Sequence, residues 1–73
     1  MATDGKITVN KGDMLTIAAQ GILVTGQVYS ANYYGEPDGW YIELINANVP
    51  GRYSYWKQGF DGGRIVAVNG KQI

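Results

Sequence analysis

Ile22-Leu23-Val24-Thr25-Gly26-Gln27-Val28-Tyr29 is the stretch that decides the fold. At a period of two it sets Ile22, Val24, Gly26 and Val28 on one side and Leu23, Thr25, Gln27 and Tyr29 on the other. That is the pattern of a strand with one face against a core. Gly26 falls on the side that is otherwise apolar. A glycine there marks a bend or bulge in a curved strand, because the missing side chain lets another backbone come close.

Upstream, residues 7–9 read as a short strand. Asn10, Lys11, Gly12 and Asp13 make a turn, and residues 14–18 emerge from it with Leu15 and Ile17 on one face, so a hairpin of these two strands is expected. Downstream, Gly35, Glu36, Pro37, Asp38 and Gly39 mark a loop. Residues 40–45 then alternate, Trp40, Ile42 and Leu44 against Tyr41, Glu43 and Ile45. Pro50 and Gly51 turn the chain into an aromatic strand over 52–57, followed by a loop over 58–63 and a strand over 64–68. Asn69-Gly70 is the strongest short-range hairpin signal, since both central positions of a type I′ turn need positive φ. Lys71, Gln72 and Ile73 should return beside residues 66–68. No segment carries apolar residues at helical spacing for three turns.

The 73 residues are enough for one core and too few for two domains, so residues 1–73 form a single small β domain, with 1–12 a short N-terminal extension or hairpin strand. Strands over 13–18, 22–29, 40–46, 52–57 and 64–68 predict an all-β, five- to six-stranded antiparallel barrel. In strand count and spacing it resembles an SH3-like barrel, and an OB-like barrel has nearly the same strand budget.

Composition excludes more than it includes. There is no Cys and no His, which removes disulfides, thiol nucleophiles, imidazole bases and nearly every zinc site. Neither a calcium loop nor a phosphate-cradling motif is present, and Gly59 to Gly63 lacks the strand, loop and Lys-Ser/Thr context of one. The expectation is a protein that is not an enzyme and takes no cofactor and no metal. No apolar run has membrane-spanning length and the first residues lack a secretory pattern, so a cytoplasmic protein without membrane contact is expected.

Six Lys or Arg balance six Asp or Glu, unevenly. Residues 1–43 hold Asp4, Asp13, Glu36, Asp38 and Glu43 against Lys6 and Lys11. Residues 44–73 hold Arg52, Lys57, Arg64 and Lys71 against Asp61. Only the C-terminal part could face an anionic partner.

Nine aromatic rings are more than so small a core can hold, so several must lie on a surface, where rings serve peptide, sugar and base recognition alike. Tyr53, Tyr55, Trp56, Lys57, Phe60, Arg64 and Arg52, with Tyr41, are the candidate binding residues. Tyr53 and Tyr55 share one side of their strand and Trp56 takes the other, so only one set can be core. These residues point to a noncatalytic binding module, for a protein or peptide or for a second copy of the chain. The alternative is single-stranded nucleic acid, stacked on rings and held by Arg52, Lys57 and Arg64. A net charge of zero weighs against it, because few counterions would be released.

Overall fold

The structure, a computed structural model, describes residues 2–48 and 54–73. Its elements are β1 (Ala2–Thr3), β2 (Thr8–Val9), β3 (Met14–Ala19), β4 (Ile22–Tyr33), β5 (Trp40–Ile45), β6 (Tyr55–Lys57), α1 (Gln58–Asp61), β7 (Arg64–Val68) and β8 (Lys71–Gln72). β1 and β2 pair in a two-stranded sheet, and the other strands form one antiparallel sheet in the order β6-β5-β4-β3-β7-β8.

The domain is all-β, but the expected barrel does not form, in either its SH3-like or its OB-like version. The reason lies at the C-terminus. Asn69 and Gly70 take φ of 53° and 81°, the positive values of a type I′ turn, and fold β8 back onto β7 with Val68 opposite Lys71. The side of β7 turned away from β3 is thereby occupied by β8. β6 lies at the opposite edge of the sheet, so the two ends never meet.

Residues 7–9 do not pair with β3 either. Val9 lies opposite Ala2 and Thr8 opposite Thr3, so β2 closes a hairpin on β1. Asp4 makes that reversal possible, its Oδ1 accepting the backbone N–H groups of Lys6 at 2.8 Å and Ile7 at 2.7 Å. The hairpin packs beside β4 and delivers Val9 to the core.

β4 runs four residues beyond the expected end and pairs along both sides, with β3 from Ile22 to Gln27 and with β5 from Gln27 to Tyr33. The ladder to β5 slips between Val28 and Ser30, leaving Tyr29 as the extra residue of a bulge. Gly26 precedes the bulge and is the site of close approach: a Cβ there would lie 3.2 Å from both Ala47 Cα and Leu44 Cβ. A second tight turn, Gln20-Gly21 with φ of 50° and 81°, joins β3 to β4.

Alternation then builds the core. Val9, Leu15, Ile17, Ala19, Val24, Val28, Trp40, Ile42, Leu44, Trp56 and Ile65 are buried, and no polar or charged side chain is buried among the described residues. Each neighbour along the strands points the other way. On β5 that places Tyr41, Glu43 and Ile45 on the outer face, the side from which the candidate site is made.

Candidate functional site

Of the two rings adjacent on β6, one is core and one is surface. Trp56 is fully buried opposite Ile42, its indole Nε1–H donating to the Gly62 carbonyl at 2.9 Å. Tyr55 is 49 % exposed and lies opposite Glu43. The Leu44 N–H donates to the Ser54 carbonyl at 2.9 Å, which makes that pair hydrogen-bonded. By the alternation of an antiparallel ladder, Tyr55–Glu43 and Lys57–Tyr41 are therefore the non-hydrogen-bonded pairs, whose side chains stand closest.

A row of three tyrosines results. Tyr41 and Tyr55 meet diagonally across β5 and β6, ring centroids 6.4 Å apart at 81°. Tyr34 meets Tyr41 from the other side at 4.8 Å and 77°. Both are edge-to-face contacts, the arrangement ring quadrupoles favour. The Lys57 ammonium completes the group, 5.7 Å from the Tyr41 centroid and 5.6 Å from that of Tyr55, within cation–π range of both.

The turn over 35–39 brings Tyr34 there. Tyr33 pairs with Trp40, and the Tyr34 N–H donates to the Gly39 carbonyl at 3.0 Å, so the residue just before the turn returns beside the residue just after Trp40. The same turn is fastened to the helical turn α1, which occupies part of the expected 58–63 loop. The Gly59 N–H donates to the Asp38 carbonyl at 2.8 Å, and Gln58 Oε1 accepts the Trp40 N–H at 3.2 Å. Gln58 Nε2 donates to the Gly63 carbonyl at 3.2 Å, and Asp61 Oδ2 accepts the Lys57 N–H at 3.1 Å. The platform under the tyrosines is thus held on two sides by hydrogen bonds to its backbone, most of them made by the Gln58 and Asp61 side chains.

The expected site residues divide accordingly. Tyr41, Tyr55 and Lys57 come together. Trp56 belongs to the core beneath them. Phe60 stands out from α1, 88 % exposed, without a ring contact among the described residues. Arg64 is in the row Leu23–Ala18–Arg64 across β4, β3 and β7, nine residues along β4 from the row Asn32–Tyr41–Lys57. Arg52 and Tyr53 lie outside the described residues. Tyr34 was not among the candidates. Its signal was its place immediately before the Gly35 to Gly39 turn, with Tyr41 just beyond it.

Acidic groups surround the row more than basic ones. Glu43 shares the outer face with Tyr41, Glu36 and Asp38 occupy the turn after Tyr34, and Asp61 lies against the Lys57 backbone. Among the described residues Lys57 is the one cation within the row.

Elsewhere, a shallow depression of about 340 Å³ between the N-terminal loop and the C-terminal hairpin, lined by Lys6, Ile7 and Lys71 among others, shares no residue with the tyrosine row. No group of three or more Asp or Glu among the described residues could hold a metal ion, and none of the described helices is long and apolar enough to cross a membrane. Among the described residues the domain carries an aromatic surface and no recognisable catalytic motif. No family model, curated protein or solved structure matches the chain.

Proposed function

We propose that this chain is a noncatalytic binding domain, that its working surface is the outer face of β5 and β6 with Tyr34, Tyr41, Tyr55 and Lys57, and that its partner is an extended segment of a protein. The observation that carries this reading is the contiguity of the rings. Three tyrosines in edge-to-face contact, on a platform fixed by hydrogen bonds, present a stiff apolar surface with polar tips, which anchors a partner at little cost in side-chain entropy.

The nucleic-acid alternative loses support from the same geometry. It needed Lys57 and Arg64 to act together beside the rings. Arg64 is at another part of the sheet, Glu43 shares the outer face with Tyr41, and Asp61 Oδ2 holds the Lys57 backbone N–H. Little counterion release is available there to favour a phosphate backbone.

The test is a random-peptide display screen run in parallel on the parent chain and on the Tyr41→Ala/Tyr55→Ala double variant, with single-stranded DNA and RNA oligonucleotides followed by fluorescence anisotropy. Peptides enriched by the parent and lost by a folded double variant support the reading. Tight, strongly salt-dependent oligonucleotide binding with no peptide enrichment overturns it.

A further inference from the structure

Asn69 is the one asparagine of five that is followed by glycine. Such a pair is chemically labile. The Gly70 nitrogen, with no Cβ of its own residue to shield it, can attack Asn69 Cγ and close a five-membered succinimide. As the new N–C bond forms, the Asn69 side-chain nitrogen leaves as ammonia, carrying off the Gly70 amide proton. Water then adds to either ring carbonyl and opens the ring, giving aspartate or isoaspartate, in which the main chain runs on through Cβ and Cγ. Water is the only co-reactant, and no electron is gained or lost. None of the residues concerned belongs to the tyrosine row.

The folded turn opposes that attack twice. With φ of 53° at Asn69 and 81° at Gly70 the turn is type I′. The first central residue of such a turn has ψ of about +30°, the mirror image of type I, which sets Gly70 N about 150° from Asn69 Cβ around the Cα–C bond. Ring closure needs the two nearly eclipsed. The side chain is also held away. Asn69 Oδ1 accepts the Met14 N–H at 2.9 Å, Nδ2 donates to Asp13 Oδ1 at 3.2 Å, and the Asn69 N–H donates to the Met14 carbonyl at 2.7 Å. To react, Asn69 must let go of Asp13 and Met14 and rotate its ψ, which swings the chain after Gly70 off β7.

Little resists that swing. Residues 69–73 are all exposed and none belongs to the core, so the hairpin opens without withdrawing a buried side chain, while Val68 stays paired with Leu15 on β3. Openings of this kind lie at the low end of local stability. We propose that Asn69 is a site of spontaneous deamidation, gated by local opening of the β7–β8 hairpin, and that the reaction releases β8 from β7 in one direction only. The aspartate product sets a carboxylate against Asp13 Oδ1 where a donor had been. The isoaspartate product adds a main-chain carbon to a two-residue turn whose geometry depends on its length. Either way the edge of β7 that β8 covers is uncovered.

The test incubates the full chain at mildly alkaline pH beside the chain unfolded in urea and a synthetic peptide of residues 66–73, with peptide mapping by mass spectrometry. The mass gain of amide-to-acid exchange is read at residue 69, because Asp4-Gly5, Asp38-Gly39 and Asp61-Gly62 can close the same ring without changing mass. Conversion should concentrate at Asn69 in every sample and be slower in the folded chain by tenfold or more. Lys71→Pro removes the N–H that closes the turn, and should raise the folded-state rate towards that of the peptide while leaving its urea-unfolded rate unchanged. Urea below the unfolding transition should hardly alter the parent's rate, since a local opening exposes little surface. Equal rates in folded chain and peptide overturn the gate, and a folded chain that never converts through many peptide half-lives overturns the site. A rate that climbs with urea in step with the unfolded fraction overturns local opening in favour of global unfolding. The converted chain, separated by ion exchange, should exchange the Lys71 and Ile73 amide hydrogens at least tenfold faster than the parent, with those of β3 to β5 unchanged. Equal protection overturns the release of β8.

Discussion

Tyr55 and Trp56 are covalent neighbours in opposite environments: the phenol is half exposed beside Tyr41, and the indole is fully buried with its N–H on the Gly62 carbonyl. Substitution should separate them. Trp56→Ala removes the largest class of side chain from the core together with a buried hydrogen bond, at a cost of roughly 3–5 kcal/mol, enough to unfold a domain of this size. Tyr55→Ala should cost less than about 1 kcal/mol and leave the fold intact. Urea denaturation of both variants is the measurement. Equal losses would mean that Tyr55 is structural.

Gly26 marks where β4 has little room for a side chain. A Cβ there meets Ala47 and Leu44 at 3.2 Å, and further methyl groups have nowhere to go. Gly26→Val should destabilise the domain by about 1–3 kcal/mol through overpacking, and Gly26→Ala by less. A parent-like melting temperature for the valine variant would show that the loop after β5 yields.

Asn69 does more than form a turn. Its Oδ1 accepts the Met14 N–H at 2.9 Å, and its Nδ2 donates to Asp13 Oδ1 at 3.2 Å, linking the β7–β8 hairpin to the start of β3. Asn69→Asp replaces that donor with a second carboxylate. At neutral pH the two carboxylates repel and Asp13 Oδ1 loses its donor, so the variant should be less stable than the parent by roughly 1 kcal/mol, and by less at high salt. Thermal melts at low and high salt test the sign.

The parent carries a pH dependence at Asp4. Burial pushes that carboxyl up, but the N–H groups of Ile7 and Lys6 and the Trp40 side chain together hold it below the ordinary carboxylate range. Its folded value lies below its unfolded one. The stabilisation is therefore complete above the unfolded value near 4 and disappears as pH falls through the lower, folded value. Asp4→Asn should flatten this acid limb and cost about 1 kcal/mol at pH 7, from the weaker acceptor offered to two backbone donors. An unchanged acid transition would remove Asp4 from the account.

Much of the strand pattern was legible because one-sided burial imposes strict alternation. Trp40, Ile42 and Leu44 are buried as their period of two requires, β7 occupies its expected residues, and Asn69-Gly70 turns the chain where both positive φ values are needed. Pairing was less legible. Whether the strand at Thr8 and Val9 joins β1 or β3 depends on one carboxylate, that of Asp4, capturing two local amides, and periodicity carries no trace of it. Closure is not legible for a related reason. Strand count fits a barrel, but the Asn69-Gly70 turn also places β8 on the edge that closure would need.

The site was half legible. Tyr41, Tyr55 and Lys57 share a face by simple alternation. That Trp56 is core follows from its opposition to Tyr55 only once β5 supplies a partner, and Arg64 could be placed only when β7 was found against β3, remote from the tyrosines.

β3 lies between a partner close in sequence and one far from it: Ile17 pairs with Val24, seven positions on, and with Ile65, 48 positions on. This arrangement imposes an order on assembly. The β3–β4 and β4–β5 hairpins close short loops, whereas docking β7 must close a long one, whose entropy is repaid only after the meander exists. Contacts of Ile65 then form after the rate-limiting step. Ile65→Val should speed unfolding while leaving the refolding rate nearly unchanged, and the refolding arm of a chevron plot would slow if β7 were instead part of the nucleus.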